Sequence, residues 1–213
     1  MKDIPMFDTD TGVSTLLLKE VPYKQIAYIK VQSVQPGGLR EHLKECVSFC
    51  RMCGAERVLA QGHEELDSWP LHSSVRTMRL QLVPMESPAM AFPVTEGTVR
   101  RWREIYNERM APVDNAATLT VRDEPEILAS DGACFVHDQG VLLGLGWVRS
   151  DEILCVAAVQ PGTGERVLRT LLTLIPGDAA ILDVASTNTR AIRLYERMGF
   201  VTVGERTKWY QIF

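Results

Sequence analysis

The stretch NTRAIRLYERMGF, residues 188–200, is the strongest local pattern in the chain. Asn188 is a favourable helix N-cap, and Gly199 is typical of the residue that follows a helix C-terminus. The apolar residues Ala191, Leu194 and Met198 recur at helical spacing and predict one buried stripe. We therefore expect a helix over 188–198, with strand material following from Phe200.

Upstream of this stretch, turn residues separate short apolar runs, and amphipathic runs lie among them. Strands are expected at 132–137, 140–149, 152–159 and 179–185, the first three as a meander. Helices are expected at 98–110, 124–129 and 165–175. The resulting order, ααβββαβαβ, predicts an α/β (α+β) domain.

Residues 188–200 resemble the N-x-x-A-x-x-L-Y-E-x-x-G-F signature of the GNAT superfamily, with every specified position present. The resemblance covers roughly residues 92–213. It implies the fold of that family, a mixed, mostly antiparallel sheet flanked by helices, in which two central strands splay apart. It also implies an acyl-CoA-dependent N-acetyltransferase, which moves an acetyl group from acetyl-CoA directly to a primary amine.

The resemblance assigns the acetyl-CoA site to the splayed strand 152–159 and the turn that follows it. The backbone of Ala157 and Val159 would hydrogen-bond the pantetheine arm, as in strand addition by a ligand. Amides at the start of the next helix would bind the pyrophosphate. Asn188 would support the cofactor near the pantetheine. The residues assigned to the turn and helix start are Gln160, Gly162, Thr163, Gly164, Glu165 and Arg166.

This turn departs from the R/Q-x-x-G-x-G/A pattern of the family. With Gln160 in the first slot, the glycine slots hold Thr163 and Glu165. With Gly162 and Gly164 in the glycine slots, the loop is short and the leading residue is missing. Both registers remain open at this point.

By the same resemblance, Tyr195 is the general acid that protonates the departing CoA thiolate. A base must also remove a proton from the incoming ammonium, and Glu152, at the start of the splayed strand, is the first candidate. His137 is a weaker candidate, and Trp147 is expected to pack on its strand. The sequence does not identify the acceptor amine or the oligomeric state. A non-catalytic acyl-CoA-binding or regulatory module is the alternative function.

The N-terminal part contains strand patterns at 25–34, 57–61 and 76–83, with an amphipathic helix between the first two. The proline-rich segment 85–94 is typical of a linker, so we expect domains at 1–85 and 92–213. The tetrapeptide Val-Gln-Pro-Gly occurs at both 34–37 and 159–162, each time after an apolar strand. Residues 1–85 are therefore interpreted as a degenerate GNAT-like copy that does not bind CoA.

Cys46, Cys50 and Cys53 have the C-x3-C-x2-C spacing of radical S-adenosylmethionine enzymes. However, Leu39, Leu43, Val47 and Cys50 form the stripe of an amphipathic helix, where a cluster-binding loop does not fit. Buried helical thiols are the favoured interpretation, and no metal is expected. A cluster enzyme remains the alternative.

Composition excludes further classes of function. The net charge is −4 with no long basic run, so nucleic acid is not an expected partner. Apolar runs are far shorter than the roughly 20 residues that cross a bilayer, and the acidic N-terminus lacks the apolar core of a signal peptide. We expect a cytoplasmic protein without membrane association, built on a core from its 46% apolar residues.

Overall fold

Eleven strands and six α-helices are formed by the residues that the computed structural model describes, 1–87, 89–130 and 132–213. Pro88, in the predicted linker, and Asp131 lie outside the described residues. The strands are β1 (Ile4–Thr9), β2 (Gly12–Leu17), β3 (Ile26–Val34), β4 (Arg57–Gln61), β5 (Leu71–Gln81), β6 (Met90–Pro93), β7 (Ala133–Asp138), β8 (Val141–Arg149), β9 (Glu152–Ala158), β10 (Ala179–Ala185) and β11 (Val201–Gln211). The helices are α1 (Val21–Lys24), α2 (Leu39–Met52), α3 (Val99–Met110), α4 (Glu124–Ala129), α5 (Gly164–Leu172) and α6 (Thr189–Arg197), with 3-10 helices at Glu64–Ser68 and Val121–Asp123.

The first compact unit comprises Met1–Ser74 and Thr207–Phe213. Strands β1, β2 and β3 form an antiparallel meander, and α2 then connects β3 to the parallel strand β4. The C-terminal end of β11 pairs antiparallel with β4. The apolar stripe of α2 packs on the sheet in a core that includes Leu39, Leu43, Cys46 and Cys50.

The second unit, Val75–Arg206, has the strand order β5-β10-β9-β8-β7-β6. Strands β9 and β10 are parallel and are joined by α5, while all other neighbouring pairs in this order are antiparallel. One core packs α5 and α6 against the sheet, and another contains Trp102 and Ile105 of α3 with Cys155 and Ala157 of β9. This mixed, mostly antiparallel sheet flanked by helices confirms the predicted fold class.

Every helix and strand predicted from periodicity is present; most ends differ by a few residues, and β5 begins five residues before the predicted 76–83. The hairpin β1–β2 and the short strand β6 were not predicted. Strand β6 lies inside the segment interpreted as a linker, where it pairs with β7. Its Met-Ala-Phe-Pro sequence is too short for a period, and its proline is tolerated at the end of an edge strand.

The two compact units divide the chain differently from the predicted 1–85 and 92–213 domains, because β11 returns Thr207–Phe213 to pair with β4 in the first unit. A sequence pattern contains no signal for such a return. That residues 1–85 are a degenerate copy of the C-terminal part stays a prediction.

The helix predicted across the three cysteines is confirmed. Cys46 and Cys50 are fully buried on α2, and Cys53 is its C-cap. Burial raises the pKa of both Cys46 and Cys50 to about 12, so these thiols stay protonated at neutral pH. No group of three or more His, Cys, Asp or Glu side chains suited to a metal ion occurs within the described ranges.

Among the helices in the described part of the chain, none combines the length and apolar character needed to span a membrane.

Candidate functional site

Strands β9 and β10 run together for only two residue pairs, Ile181 with Glu152 and Leu182 with Ile153. Directly after this, the register of β9 against β8 shifts: Val148 pairs with Ile153, but Trp147 pairs with Cys155. Leu154 is thus the extra residue of a β-bulge, which bends the strand that contains it. We attribute the separation of β9 from β10 to this bulge.

Beyond the bulge, one edge of β9 remains paired with β8 while the other faces the gap. The amide of Val159 donates to the carbonyl of Leu143, 2.9 Å away. Because backbone groups of an antiparallel strand alternate between its two edges, Ala157 also faces β8, and Val156 and Ala158 face the gap. The amides of Ala157 and Val159, which were predicted to bind pantetheine, therefore face β8. The amides of Val156 and Ala158 face the gap instead.

The turn after β9 has glycine where the backbone requires it. Gly162 has a φ of +83°, in the left-handed region, and no atom beyond its two chain neighbours lies within 4 Å of where its Cβ would be. A Cβ on Gly164 would lie 3.2 Å from Leu194 Cδ2, so the start of α5 approaches α6 closely. Of the two registers left open by the sequence, the geometry favours the one with Gly162 and Gly164 in the glycine slots.

Helices α5 and α6 begin differently. At α6, the Asn188 side chain accepts a hydrogen bond from the amide of Ala191, at 3.2 Å. At α5, the N-cap Thr163 makes no such bond; its hydroxyl donates to the carbonyls of Leu143 and Gln160, at 2.9 and 2.8 Å. The first amides of α5 therefore lack a side-chain cap, which leaves a site for an anion with the helix dipole behind it.

A cleft with a volume of about 490 Å³ joins these features within the second unit. It brings together most of the predicted site: Ala157, Val159, Gln160, Gly162, Gly164, Glu165, Asn188 and Tyr195 all line it. Residues that sequence reasoning missed also line it, among them Glu108, Arg109, Pro112, Val113, Val156, Ala158, Arg190 and Arg197. The three arginines could have been noted in the sequence as candidate anion-binding residues. The pattern of each helix alone, however, does not show which of its faces lines a cleft.

Tyr195 lines the cleft from α6, although only 8% of the residue is exposed. Its ring packs against Phe200, with centroids 5.8 Å apart. Burial, with a smaller contribution from Cys155, raises the pKa of Tyr195 above its ordinary value. The phenol therefore stays protonated at neutral pH, which is the state a general acid needs, and its higher pKa makes it a weaker acid than a free tyrosine.

Three predicted site residues do not line the cleft. Glu152 precedes the bulge, where β9 and β10 are still paired, and lines a separate cavity of about 130 Å³ with Asp183 and Arg206. Thr163 is buried beneath the turn, and Arg166 forms an ion pair with Asp138.

The two aromatic candidates on the meander lie in packing positions. Trp147 is buried, its ring meets Trp102 edge-on, and its indole N–H donates to the Ser130 hydroxyl at 2.6 Å. His137 lies beside Phe92 on the neighbouring strand, with ring centroids 5.4 Å apart. Neither belongs to the lining of the cleft that contains Tyr195.

The segment after α3 borders the cleft through Pro112 and Val113. Asp114 in this segment accepts a hydrogen bond from the Thr187 hydroxyl, at 2.7 Å. Thr187 directly precedes Asn188, so this bond ties the segment to the start of α6.

Comparison of the sequence with known proteins gives a match over part of the chain. No family model matches the chain. Over 51 residues, 24% of this chain, it is 39% identical to the N-alpha-acetyltransferase RimI of Mycobacterium tuberculosis. The aligned part spans about a third of that curated relative, 32% of its length.

Solved structures are similar over nearly the whole chain. A GCN5-related N-acetyltransferase from Kribbella flavida is 14% identical with a TM-score of 0.57, covering 98% of this chain and 90% of that one. Another, from Sphaerobacter thermophilus, is 16% identical with a TM-score of 0.54, covering 93% and 75%. At such identities the likeness establishes the fold. The chain has the GNAT N-acetyltransferase fold, as its residues 188–200 predicted.

Proposed function

We propose that this chain is an N-acetyltransferase that moves an acetyl group from acetyl-CoA directly to a primary amine. The observation that carries the proposal is the gap between β9 and β10, which opens at the Leu154 bulge and is lined by Tyr195. A non-catalytic acyl-CoA-binding module would need this cleft but not the hydroxyl of Tyr195.

The residues present fit acetyl-CoA. The free edge of β9 offers backbone groups of Val156 and Ala158 to an extended pantetheine arm. The uncapped start of α5 offers amides to the pyrophosphate, and the open space at Gly162 lets phosphate oxygens approach the backbone. Arg190 and Arg197 add positive charge to the same cleft. Glu165 is the one acidic residue at this turn, and its carboxylate pairs with Arg169 at 3.1 Å.

In the reaction, acetyl-CoA supplies the thioester and the amine nitrogen attacks its carbonyl carbon. The C–S bond breaks as the C–N bond forms, and the Tyr195 hydroxyl gives its proton to the departing sulfur. The amine must lose a proton before or during attack. Glu152 was the predicted base, but it lies outside the cleft lining; Glu108 lines the cleft and is the better placed carboxylate.

The test begins with binding. Isothermal titration of the full chain with acetyl-CoA should give saturable binding, and the ligand should raise the unfolding temperature by mass action. Absence of binding at millimolar acetyl-CoA would remove the proposal. Thiol release in the presence of amine libraries then separates an enzyme from a non-catalytic acyl-CoA-binding module, which would bind without turnover.

Tyr195→Phe should lower turnover about 100- to 10,000-fold, the usual contribution of a general acid. Affinity for acetyl-CoA should change little, because the ring and its packing against Phe200 are retained. Tyr23→Phe, at a residue 57% exposed in the first unit, is the matched control and should leave turnover unchanged. An undiminished rate in Tyr195→Phe, with chemistry limiting, would require another acid.

A further inference from the structure

The cleft is lined from both faces of the sheet. Successive residues of β9 beyond the bulge pack into two different cores: Val156 against the core of α5 and α6, and Cys155 and Ala157 in the core of α3. Helix α3 therefore lies on the opposite face of this sheet from α5 and α6. If the start of α5 holds the pyrophosphate of CoA, the α3 residues that line the cleft lie on the opposite face of the sheet. We place the acceptor amine on that face.

Two charged residues at the C-terminal end of α3, Glu108 and Arg109, line the cleft. Their side chains form a loose ion pair, with 3.4 Å between Arg109 Nη2 and Glu108 Oε1. The Nε of Arg109 is shielded from solvent and has no hydrogen-bond partner among the described residues. The Nε itself is too enclosed for a ligand atom, but the side chain is 38% exposed, so the terminal N–H groups of the guanidinium can receive an acceptor oxygen from the cleft.

The positive charge of Arg109 restricts the chemical class of the acceptor. An ammonium group is only a donor and cannot satisfy the Arg109 N–H, and a polyamine would meet like charge there. A carboxylate would accept a charge-assisted hydrogen bond, and the planar fork of arginine suits its two oxygens. Glu108, next to Arg109, is complementary to the ammonium of the same molecule.

We propose that the acceptor is an amine that also bears a carboxylate, of the amino-acid type, and that Arg109 binds this carboxylate. The inference rests on the proposed acetyl transfer. It makes Arg109 a specificity-determining residue that distinguishes an amino acid from the amine left after decarboxylation.

The experiment compares amino acids with their decarboxylated counterparts, such as phenylalanine with phenethylamine and lysine with cadaverine. Thiol release from acetyl-CoA and thermal stabilisation of the CoA-bound protein are both measured. Wild type should favour carboxylate-bearing members at least about 10-fold in kcat/KM or in affinity, the scale of a charge-assisted hydrogen bond. Arg109→Gln should abolish that preference through KM, with the Kd for CoA within about twofold of wild type.

Arg101→Gln is the matched control, since this arginine lies on the same helix with its side chain 69% exposed and paired to Glu104. It should retain the preference. Equal use of both members of each pair by wild type, or an unchanged preference in Arg109→Gln, would overturn the inference. So would a wild type that binds CoA but neither acetylates nor is stabilised by any of the amino acids. Each of these three results contradicts the role of Arg109 but not the proposed acetyl transfer. Failure to bind CoA would contradict the proposed acetyl transfer itself.

Discussion

In both units an antiparallel three-stranded meander leads through a Gln-Pro-Gly turn into a helix, and a strand parallel to the third follows. The parallel pairs differ. In the first unit β3 and β4 stay together over five residue pairs, from Ile26 with Arg57 to Lys30 with Gln61. In the second unit β9 and β10 separate after two.

The position of a bulge accounts for this difference. In β9 the extra residue, Leu154, is the third of the strand, and five residues, 155–159, follow it before the turn. In β3 the register shift against β2 leaves out Gln32, the seventh residue, with only two residues before the turn. The first unit therefore lacks the long free strand edge on which a pantetheine arm could lie.

The Gln-Pro-Gly turns of the two units also make different contacts. In the first unit the Gln35 amide and side chain donate to the carbonyls of Thr11 and Asp10 in the β1–β2 hairpin, and a Cβ on Gly38 would lie 3.0 Å from Thr11 Cβ. After β4 comes the 3-10 helix Glu64–Ser68, where the second unit has α6 with Tyr195. A common order of strands and helices thus supports a gap between the parallel strands of the second unit and a continuous parallel pair in the first.

Deleting Leu154 is the most direct way to close the gap. Without this residue, β9 can pair regularly with β8, and Cys155 and Ala157 keep their faces. We expect binding of acetyl-CoA to weaken at least about 30-fold, as two or more ligand hydrogen bonds at about 1 kcal/mol each are lost. Calorimetry measures the affinity, and circular dichroism checks the fold.

Deleting Gln32, the bulge residue of β3, is the matched control and should leave the affinity unchanged. Tight binding by the Leu154 deletion, in a folded protein, would contradict a bulge that opens the site.

Gly162→Val should weaken acetyl-CoA binding about 10-fold. Valine at a φ of +83° is strained by about 1–3 kcal/mol, and the turn would relax away from the conformation that exposes its amides. Gly37→Val places the same strain, at a φ of +74°, on the corresponding turn of the first unit. Both variants should lose similar stability in urea, but only Gly162→Val should lose affinity; equal losses of affinity would mean that the effect is general destabilisation.

The smallest expected effect concerns His42 in the first unit. His42 is fully buried, with Nδ1 2.8 Å from Thr9 Oγ1 and Nε2 2.7 Å from Ser14 Oγ. Burial lowers the pKa of His42, against opposing contributions from Glu45 and Asp8. Because the folded state disfavours the proton, stability is complete above the ordinary pKa of 6.5 and declines as pH falls below it.

The free energy of unfolding should therefore decrease by up to about 1.4 kcal/mol per pH unit more in wild type than in His42→Gln. Urea unfolding at pH 7.5 and 5.5 measures both slopes. Parallel slopes would mean that His42 does not titrate on unfolding in this range.

Much of this architecture could be predicted from the sequence, because helices and buried strands repeat their apolar residues at fixed spacing. The Leu154 bulge could not, since Glu-Ile-Leu-Cys-Val reads as an ordinary strand with no glycine to mark it. That bulge also accounts for two differences between the predicted arrangement of the site and the structure. It separates Glu152 from the cleft, and the sequence could not assign the pairing edge of Ala157 and Val159.

Hydrogen exchange of the full chain with and without acetyl-CoA tests the central claim most directly. Acetyl-CoA should slow exchange at amides 156–166 and 188–195 and leave 31–41 and 57–62 unchanged. Protection in the first unit, or in both units equally, would contradict the assignment of the acetyl-CoA site to the splayed strands of the second unit.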